Sequence, residues 1–239
     1  MTKHFADFYD QVSDKIAAKE RAENVLFYIN KYHPKAETVL ELGTGNGNVL
    51  ASFPKNYKLN GLDIEKKFIK LTKEKVPNAN LFVSSMHNFK INKTFDVIFS
   101  IYDSVNFLKN FEEWKSLFKT VHKHLNVNGL FIFDMYTPLI LEKANGNTNF
   151  YKKPFGYMVD LGIVKGNKLT WDFKIFEKKK NNSYELHQIY FHENVFPIEA
   201  IENELMKYFN IIERVDGSNL DIPNEESLRL LYTCRKKQI

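Results

Sequence analysis

The residues best suited to chemistry begin at Glu41-Leu42-Gly43-Thr44-Gly45-Asn46-Gly47, where the apolar run from Val39 passes straight into three alternate glycines. Glycine lets a backbone turn sharply and lets a ligand approach where a Cβ would collide, so the stretch reads as the floor of a nucleotide-type cofactor site. A tight strand-to-helix turn without a ligand is the plainer alternative. A dinucleotide site wants G-x-G-x-x-G, in which the third glycine lets the helix pack on the strand. Here the glycines stand at 43, 45 and 47 and position 48 is Asn, which departs from that pattern. The single cysteine, Cys234, excludes an internal disulfide and a cysteine-based metal cluster. Asp103, Asn106 and Asp134 do not assemble into an oxygen-ligand site, so no metal is expected.

The 239 residues suit one full-sized domain carrying a sizeable insertion. Hydrophobic residues make up 44% and charged residues 26%, the composition of a globular chain, and 21 Phe and 12 Tyr promise a core and pocket rich in rings. A net charge of +5 and a pI near 9.0 allow nucleic-acid binding without demanding it, because the lysines are scattered among acids. The densest run, Lys178-Lys179-Lys180 before Asn181-Asn182-Ser183, reads as a solvated hairpin tip. Residues 1–10 lack an apolar leader core, and no apolar run reaches membrane-spanning length, so a cytoplasmic protein with no membrane partner is expected.

Elements must position these residues. Apolar residues at helical spacing predict a helix over residues 12–31, stopped by His33-Pro34. After the glycine turn, Val49, Leu50 and Phe53 predict a short helix limited by Pro54. Strands are expected at 58–62, 80–83 and 95–101, with a helix over 65–75. Asn110 with Glu113 three positions on can cap a helix whose inner face is Phe111, Trp114, Leu117, Phe118, Val121 and Leu125. Asn128-Gly129 then turns into a fifth strand, 130–133. This alternation is that of a doubly wound, mostly parallel α/β sheet with its ligand at the carboxyl ends of the strands. After Thr137-Pro138 the rhythm changes: 156–164, 169–176 and 184–191 predict a three-stranded antiparallel meander. A helix over 197–209 and strands at 211–215 and 228–234 close the chain, completing a seven-stranded sheet. The expected division is therefore 1–137 with 195–239 as the cofactor-binding domain and 138–194 as an inserted β subdomain.

The spacing G-x-G-x-G after the acidic Glu41 resembles the S-adenosylmethionine turn of the class I methyltransferases, and the resemblance runs from about Phe8 to the end. It implies that Glu41, Gly43, Thr44 and Gly45 line the cofactor site and that Asp63, at the end of the second strand, holds the ribose. Two vicinal hydroxyls can donate to one ionised carboxylate, a charge-assisted pair; capping the next helix is the alternative role for Asp63. By the same resemblance Ile64 covers one adenine face, Ser85 and Met86 border the other, and Ile101 lies near the sulfonium. Tyr9 resembles a tyrosine in a segment that closes over the cofactor, excluding water from methyl transfer; a partly buried Tyr packed on the first helix is the plainer reading. The string Asp103-Ser104-Val105-Asn106-Phe107-Leu108 resembles the small-molecule members of the family most specifically. The same resemblance implies that the inserted β subdomain roofs the acceptor pocket or forms a dimer contact.

The implied reaction is a one-step in-line displacement from S-adenosylmethionine to nitrogen or oxygen of a small molecule, leaving S-adenosylhomocysteine. An amine acceptor needs little help from a base, and no strong catalytic dyad is visible. Asp134 and Tyr136, at the end of the fifth strand, are the candidates to orient an acceptor or take a proton; Asp134 has a cap as its alternative role. His187 and His192 read as satisfied surface or interface residues. Tyr102-Asp103-Ser104 stands where amine methylases of bases carry Asn/Asp-Pro-Pro-aromatic, and Cys234 lies in the last strand, away from a pyrimidine-type nucleophile. A nucleic-acid or protein acceptor is the second reading and a non-catalytic binding module the third. The chain is expected to be a monomer or a homodimer.

Overall fold

The computed structural model describes residues 5–238. The first four residues of the stretch read for a leader lie outside the described residues. Helices α1 (Phe5–Val12) and α2 (Lys15–Tyr32) stand where one helix was expected. The break falls at Ser13-Asp14 because the Asp14 side chain accepts from the amides of Ile16 and Ala17, an N-cap that starts α2 afresh. Then follow β1 (Thr38–Leu42), β2 (Lys58–Asp63), α3 (Lys66–Lys75), β3 (Asn80–Val83), β4 (Phe95–Ser100), α4 (Phe111–His124) and β5 (Leu125–Tyr136). The helix expected after the glycine turn is one 3₁₀ turn, Leu50–Ser52. Asn110 does cap α4, its side chain accepting from the Glu113 amide at 3.0 Å. Strand β5 begins earlier than expected, and its register against β4 shifts across the Asn128-Gly129 corner, where Asn128 has φ 64°.

After α5 (Leu139–Ala144) come β6 (Thr148–Lys153), β7 (Gly156–Lys165), β8 (Lys168–Lys178) and β9 (Tyr184–Asn194), a separate antiparallel sheet in that order. It has four strands where three were expected. The missed strand, β6, is a polar edge strand whose six residues carry little apolar alternation. The chain returns through α6 (Ile198–Leu205), β10 (Phe209–Asp216) and β11 (Arg229–Lys236). The main sheet has seven strands in the order β10-β11-β5-β4-β1-β2-β3; β1 to β5 run parallel and β11 is antiparallel to both neighbours.

Alternation along the central strands divides the core. Leu40, Leu42, Phe131 and Phe133 pack with Trp114, Leu117 and Phe118 of α4 and with Leu205 of α6. Val39, Val97, Leu130 and Ile132 pack with Ala22, Val25 and Ile29 of α2 on the other face. Such two-sided burial is what the near-continuous apolar strands require. A smaller cluster joins Phe8 of α1 and Phe68 of α3 to Met158, Ile175 and Ile189 of the second sheet. The second sheet and α1 therefore meet over the carboxyl ends of the parallel strands. Among the described residues no helix is long and apolar enough to cross a membrane.

Candidate functional site

A cavity of about 740 Å³ opens at the carboxyl ends of β1, β2 and β4, bounded above by α1 and the second sheet. Its floor is the glycine turn. Gly43, Gly45 and Gly47 have φ of 75°, 50° and 79°, a region costly for residues with a Cβ. The amides of Gly43 and Thr44 both donate to the Leu62 carbonyl, at 2.8 and 3.0 Å, so the turn hangs from β2. The glycines then differ. A Cβ on Gly47 would lie 2.8 Å from Thr72 Cα, so this residue permits close packing of α3. A Cβ on Gly45 would meet nothing nearer than Tyr9 Cε1 at 3.8 Å. The space over Gly45 is thus available to a ligand.

Asp63 locks this floor. Its Oδ2 accepts from the Gly45 amide at 2.9 Å and its Oδ1 from the Glu65 amide at 2.8 Å. The carboxylate is buried, which raises its pKa, while those backbone donors pull it down. Each oxygen keeps a second lone pair. Glu41 is 3% exposed, and its Oε2 has no hydrogen-bond partner among the described residues. Burial, and then the charge of Asp63, hold its pKa well above the ordinary carboxylate value. Ile64, Ser85, Met86 and Ile101 border the same cavity, as do Glu41, Gly43, Thr44, Gly45, Asp63 and Tyr9. Ile64 is 66% exposed and forms the rim. Ser85 Oγ pairs with His87 Nδ1 at 2.7 Å.

Tyr9 comes from α1, its ring edge-on to Phe68 at 5.5 Å. Burial, followed by the charge of Asp103, pushes its phenol pKa upward. A polar clip holds α1 to the glycine turn. Asn46 Nδ2 donates to Asp10 Oδ1 at 2.9 Å and to Ser13 Oγ at 2.6 Å, and Lys75 pairs with Asp10 while donating to Asn48 Oδ1 at 2.7 Å.

The far half of the cavity is built from the second sheet and the ends of β5 and β11. Trp171, Phe173, Phe191 and Tyr136 supply ring surfaces, with the Phe173 and Phe191 rings edge to face at 5.4 Å. Arg229 of β11 stacks on Tyr136 with its guanidinium carbon 4.6 Å from the ring centre. Its Nη1 donates to Asp134 Oδ2 at 3.0 Å and its Nη2 to Asp103 Oδ1. Tyr136 and Asp134, the two expected acceptor residues, thus part company. Tyr136 lines the cavity, and burial, followed by Asp103, keeps its phenol protonated. Asp134 is 1% exposed and lies behind the wall, accepting from the Tyr102 amide at 3.2 Å, from the Asp103 amide at 2.6 Å and from Arg229. It braces a turn in which Tyr102 and Asp103 have φ of 59° and 49°.

Sequence reasoning missed Glu193 and Arg229. Glu193 of β9 is 3% exposed and borders the cavity, and its Oε2 has no partner among the described residues. Burial first and Asp103 second push its pKa up to about 9. The signal that could have found it is parity: Glu193 continues the inward series Ile189, Phe191, where an apolar residue was due. The Asp103-to-Leu108 string shows a bracing role as well. Buried Asn106 accepts from the Tyr136 amide at 3.0 Å and donates to the Asn194 carbonyl at 3.1 Å, tying β9 to β5 beside Glu193. His187 faces Glu177 at 3.0 Å and the Phe8 ring at 5.0 Å. His192 lies inside β9 rather than past its end, paired with Thr170 Oγ1 at 3.0 Å.

Residues 39–129 match a methyltransferase domain family. The chain is similar in structure to an S-adenosylmethionine-dependent methyltransferase from Clostridium acetobutylicum, with TM-score 0.86 and 21% identity over 97% of each chain. It is also similar to S-adenosylmethionine-bound CalS10, an amino pentose methyltransferase from Micromonospora echinaspora, with TM-score 0.80 and 16% identity over 99% of this chain and 98% of that one. In sequence it is 24% identical over 114 residues to the dTDP-3-amino-3,4,6-trideoxy-alpha-D-glucopyranose N,N-dimethyltransferase of Streptomyces venezuelae. That match spans 47% of this chain and about half, 48%, of the relative. The structural likenesses carry the fold.

Proposed function

The chain is a class I S-adenosylmethionine-dependent methyltransferase, and on that premise we propose that it methylates nitrogen or oxygen of a small molecule held within the cavity, by in-line displacement. The observation that carries this reading is the composition of the cavity wall. Trp171, Phe173 and Phe191 of the second sheet line the same cavity as the glycine turn, so an acceptor there sits against a wall of rings. Setting aside Glu41 and Glu193, which hold their protons, the acids Asp14, Asp63, Glu65, Asp103, Glu113 and Asp160 outnumber the cations Lys109 and Arg229 along the lining. An acidic, roofed cavity disfavours a phosphate backbone as acceptor, whatever the pI. Amino-sugar methylation in the similar proteins supports a small acceptor here.

S-adenosylmethionine, when bound, supplies an electrophilic methyl on a sulfonium. The chain's own residues fix its position. The free lone pairs of Asp63 take the ribose hydroxyls, and buried Glu41 meets a donor with its unpartnered Oε2. Gly43, Thr44 and Gly45 give close approach, while Ile64 and Met86 flank the adenine and Ser85 borders its edge. Ile101 packs near the reacting end. Tyr9, on the clipped helix α1, excludes water, and a dry, oriented pocket favours the displacement. Asp134 serves Arg229 rather than the acceptor.

The test is transfer of labelled methyl from S-adenosylmethionine to a set of small amines and alcohols, to tRNA and to a protein extract. Label is expected in the small-molecule fraction. Label confined to tRNA or protein would overturn the reading.

A further inference from the structure

We infer that Glu193 selects a cationic amine as the acceptor, pairing with its ammonium group and taking one proton from it before the methyl arrives. The inference rests on the small-molecule reading above. The starting point is an orphan: a buried carboxyl oxygen on the cavity wall with no hydrogen-bond partner among the described residues. Leaving such a group unsatisfied is costly, and a native structure keeps one where something else will meet it.

The surroundings say what that something is. The Asp103 carboxyl and the Trp171 indole both lie within hydrogen-bonding reach of the Glu193 carboxyl, and Oε2 is its one buried oxygen without a partner among the described residues. The nearby cation, Arg229, is already engaged by Asp103 and Asp134. With Glu193 ionised, three carboxylates, Asp103, Asp134 and Glu193, share one guanidinium and leave this end of the cavity two negative charges in excess, which an ammonium reduces and a hydroxyl does not. The Trp171 ring adds a surface to which a cation is attracted. Position is rigidly set, because the neighbouring Asn194 is held through its carbonyl by Asn106 and through its side chain to the Leu108 carbonyl at 3.0 Å.

The chemistry balances. Alkylamines are mostly protonated at neutral pH, as lysine is, and an ammonium has no lone pair to attack with. Glu193, protonated at rest, gives its proton to solvent as the ammonium docks; one ammonium N–H bond then breaks as an O–H bond re-forms on Glu193, giving a neutral amine and a carboxylic acid with one proton released overall. The nitrogen lone pair then bonds to the methyl carbon, the carbon–sulfur bond breaks with its electrons left on sulfur, and the product is a methylated ammonium. The raised proton affinity of the buried Glu193 brings it near that of an amine, which suits this transfer.

The test uses the enzyme loaded with S-adenosylhomocysteine and two matched probe pairs, cyclohexylamine with cyclohexanol and benzylamine with benzyl alcohol. Binding is followed by calorimetry near neutral pH in buffers of differing ionisation enthalpy. The wild type is expected to bind each amine about tenfold or more tighter than its alcohol, releasing roughly one proton as Glu193 ionises. Glu193→Gln is expected to lose both the preference and the proton release, with S-adenosylhomocysteine affinity retained and Tm not lowered; Glu193→Asp, which keeps the charge, retains part of the preference. Wild-type enzyme that binds the alcohols as well as the amines, or binds neither, overturns the inference, as does a preference that survives in Glu193→Gln. Label found on tRNA or protein is a separate failure, that of the small-acceptor reading itself.

Discussion

The two halves of the cavity each hold a buried glutamate with one unpartnered oxygen, Glu41 on β1 and Glu193 on β9, yet they are built by different means. The cofactor half is made chiefly of backbone: positive-φ glycines, amides hung on the Leu62 carbonyl, and one aspartate that takes two N–H groups. The half proposed for the acceptor is made of side chains from β5, β8, β9 and β11, held by the Asp103–Arg229–Asp134 ion network and by Asn106. Backbone geometry leaves little freedom to change the ligand. Side chains on the second sheet can be exchanged without disturbing the turn, so the proposed acceptor can change while the floor of the cavity stays as it is.

The largest expected effect on this contrast comes from Arg229→Met, which leaves Asp103 and Asp134 buried without their cation. Breaking a buried pair from one side costs about 3–5 kcal/mol, read as a lower denaturation midpoint in urea. A midpoint unchanged within error would mean that the network does not hold the acceptor half together.

A pH series comes next. Unfolded Glu193 releases its proton near the ordinary glutamate value of 4.5, whereas in the folded chain burial and the neighbouring Asp103 hold it up to about 9. The group's contribution to stability is therefore complete below about 4.5 and is lost as pH rises towards 9. Glu41 acts in the same direction. Each pKa unit of displacement carries about 1.4 kcal/mol. Thermal unfolding should show the wild type losing stability across that window and Glu193→Gln losing less. Parallel curves would show that Glu193 does not titrate there.

The smallest effect is at the clip. Lys75→Ala removes a partly exposed pair with Asp10, worth about 0.2–1 kcal/mol, and should raise the dissociation rate of S-adenosylhomocysteine by roughly a few-fold in stopped flow. An unaltered rate would leave α1 with no part in retaining the cofactor.

Legibility followed the same division. The glycine spacing, Asp63 twenty positions beyond Gly43, and the buried strands are local patterns, so the seven-stranded sheet and the residues gathered around one wall of the cavity could be read along the chain. Glu193 and Arg229 acquire meaning only when β9 and β11 are brought beside the Asp103 turn, and no spacing announces that contact. Asp134 is instructive, because its place at the end of β5 suggested an acceptor role that Arg229 and two backbone amides absorb. Strand β6 was invisible because an edge strand on a covered sheet needs no apolar alternation. The single expected first helix became two because one aspartate, Asp14, caps within a run of helical spacing.

The most direct test of the division is calorimetric titration of S-adenosylhomocysteine into the wild type, Asp63→Asn and Glu193→Gln. Loss of a charged hydrogen-bond acceptor, about 1.5–3 kcal/mol, predicts at least about tenfold weaker binding by Asp63→Asn. Glu193→Gln should match the wild type. Equal affinities for the wild type and Asp63→Asn, or a weakening confined to Glu193→Gln, would contradict the account.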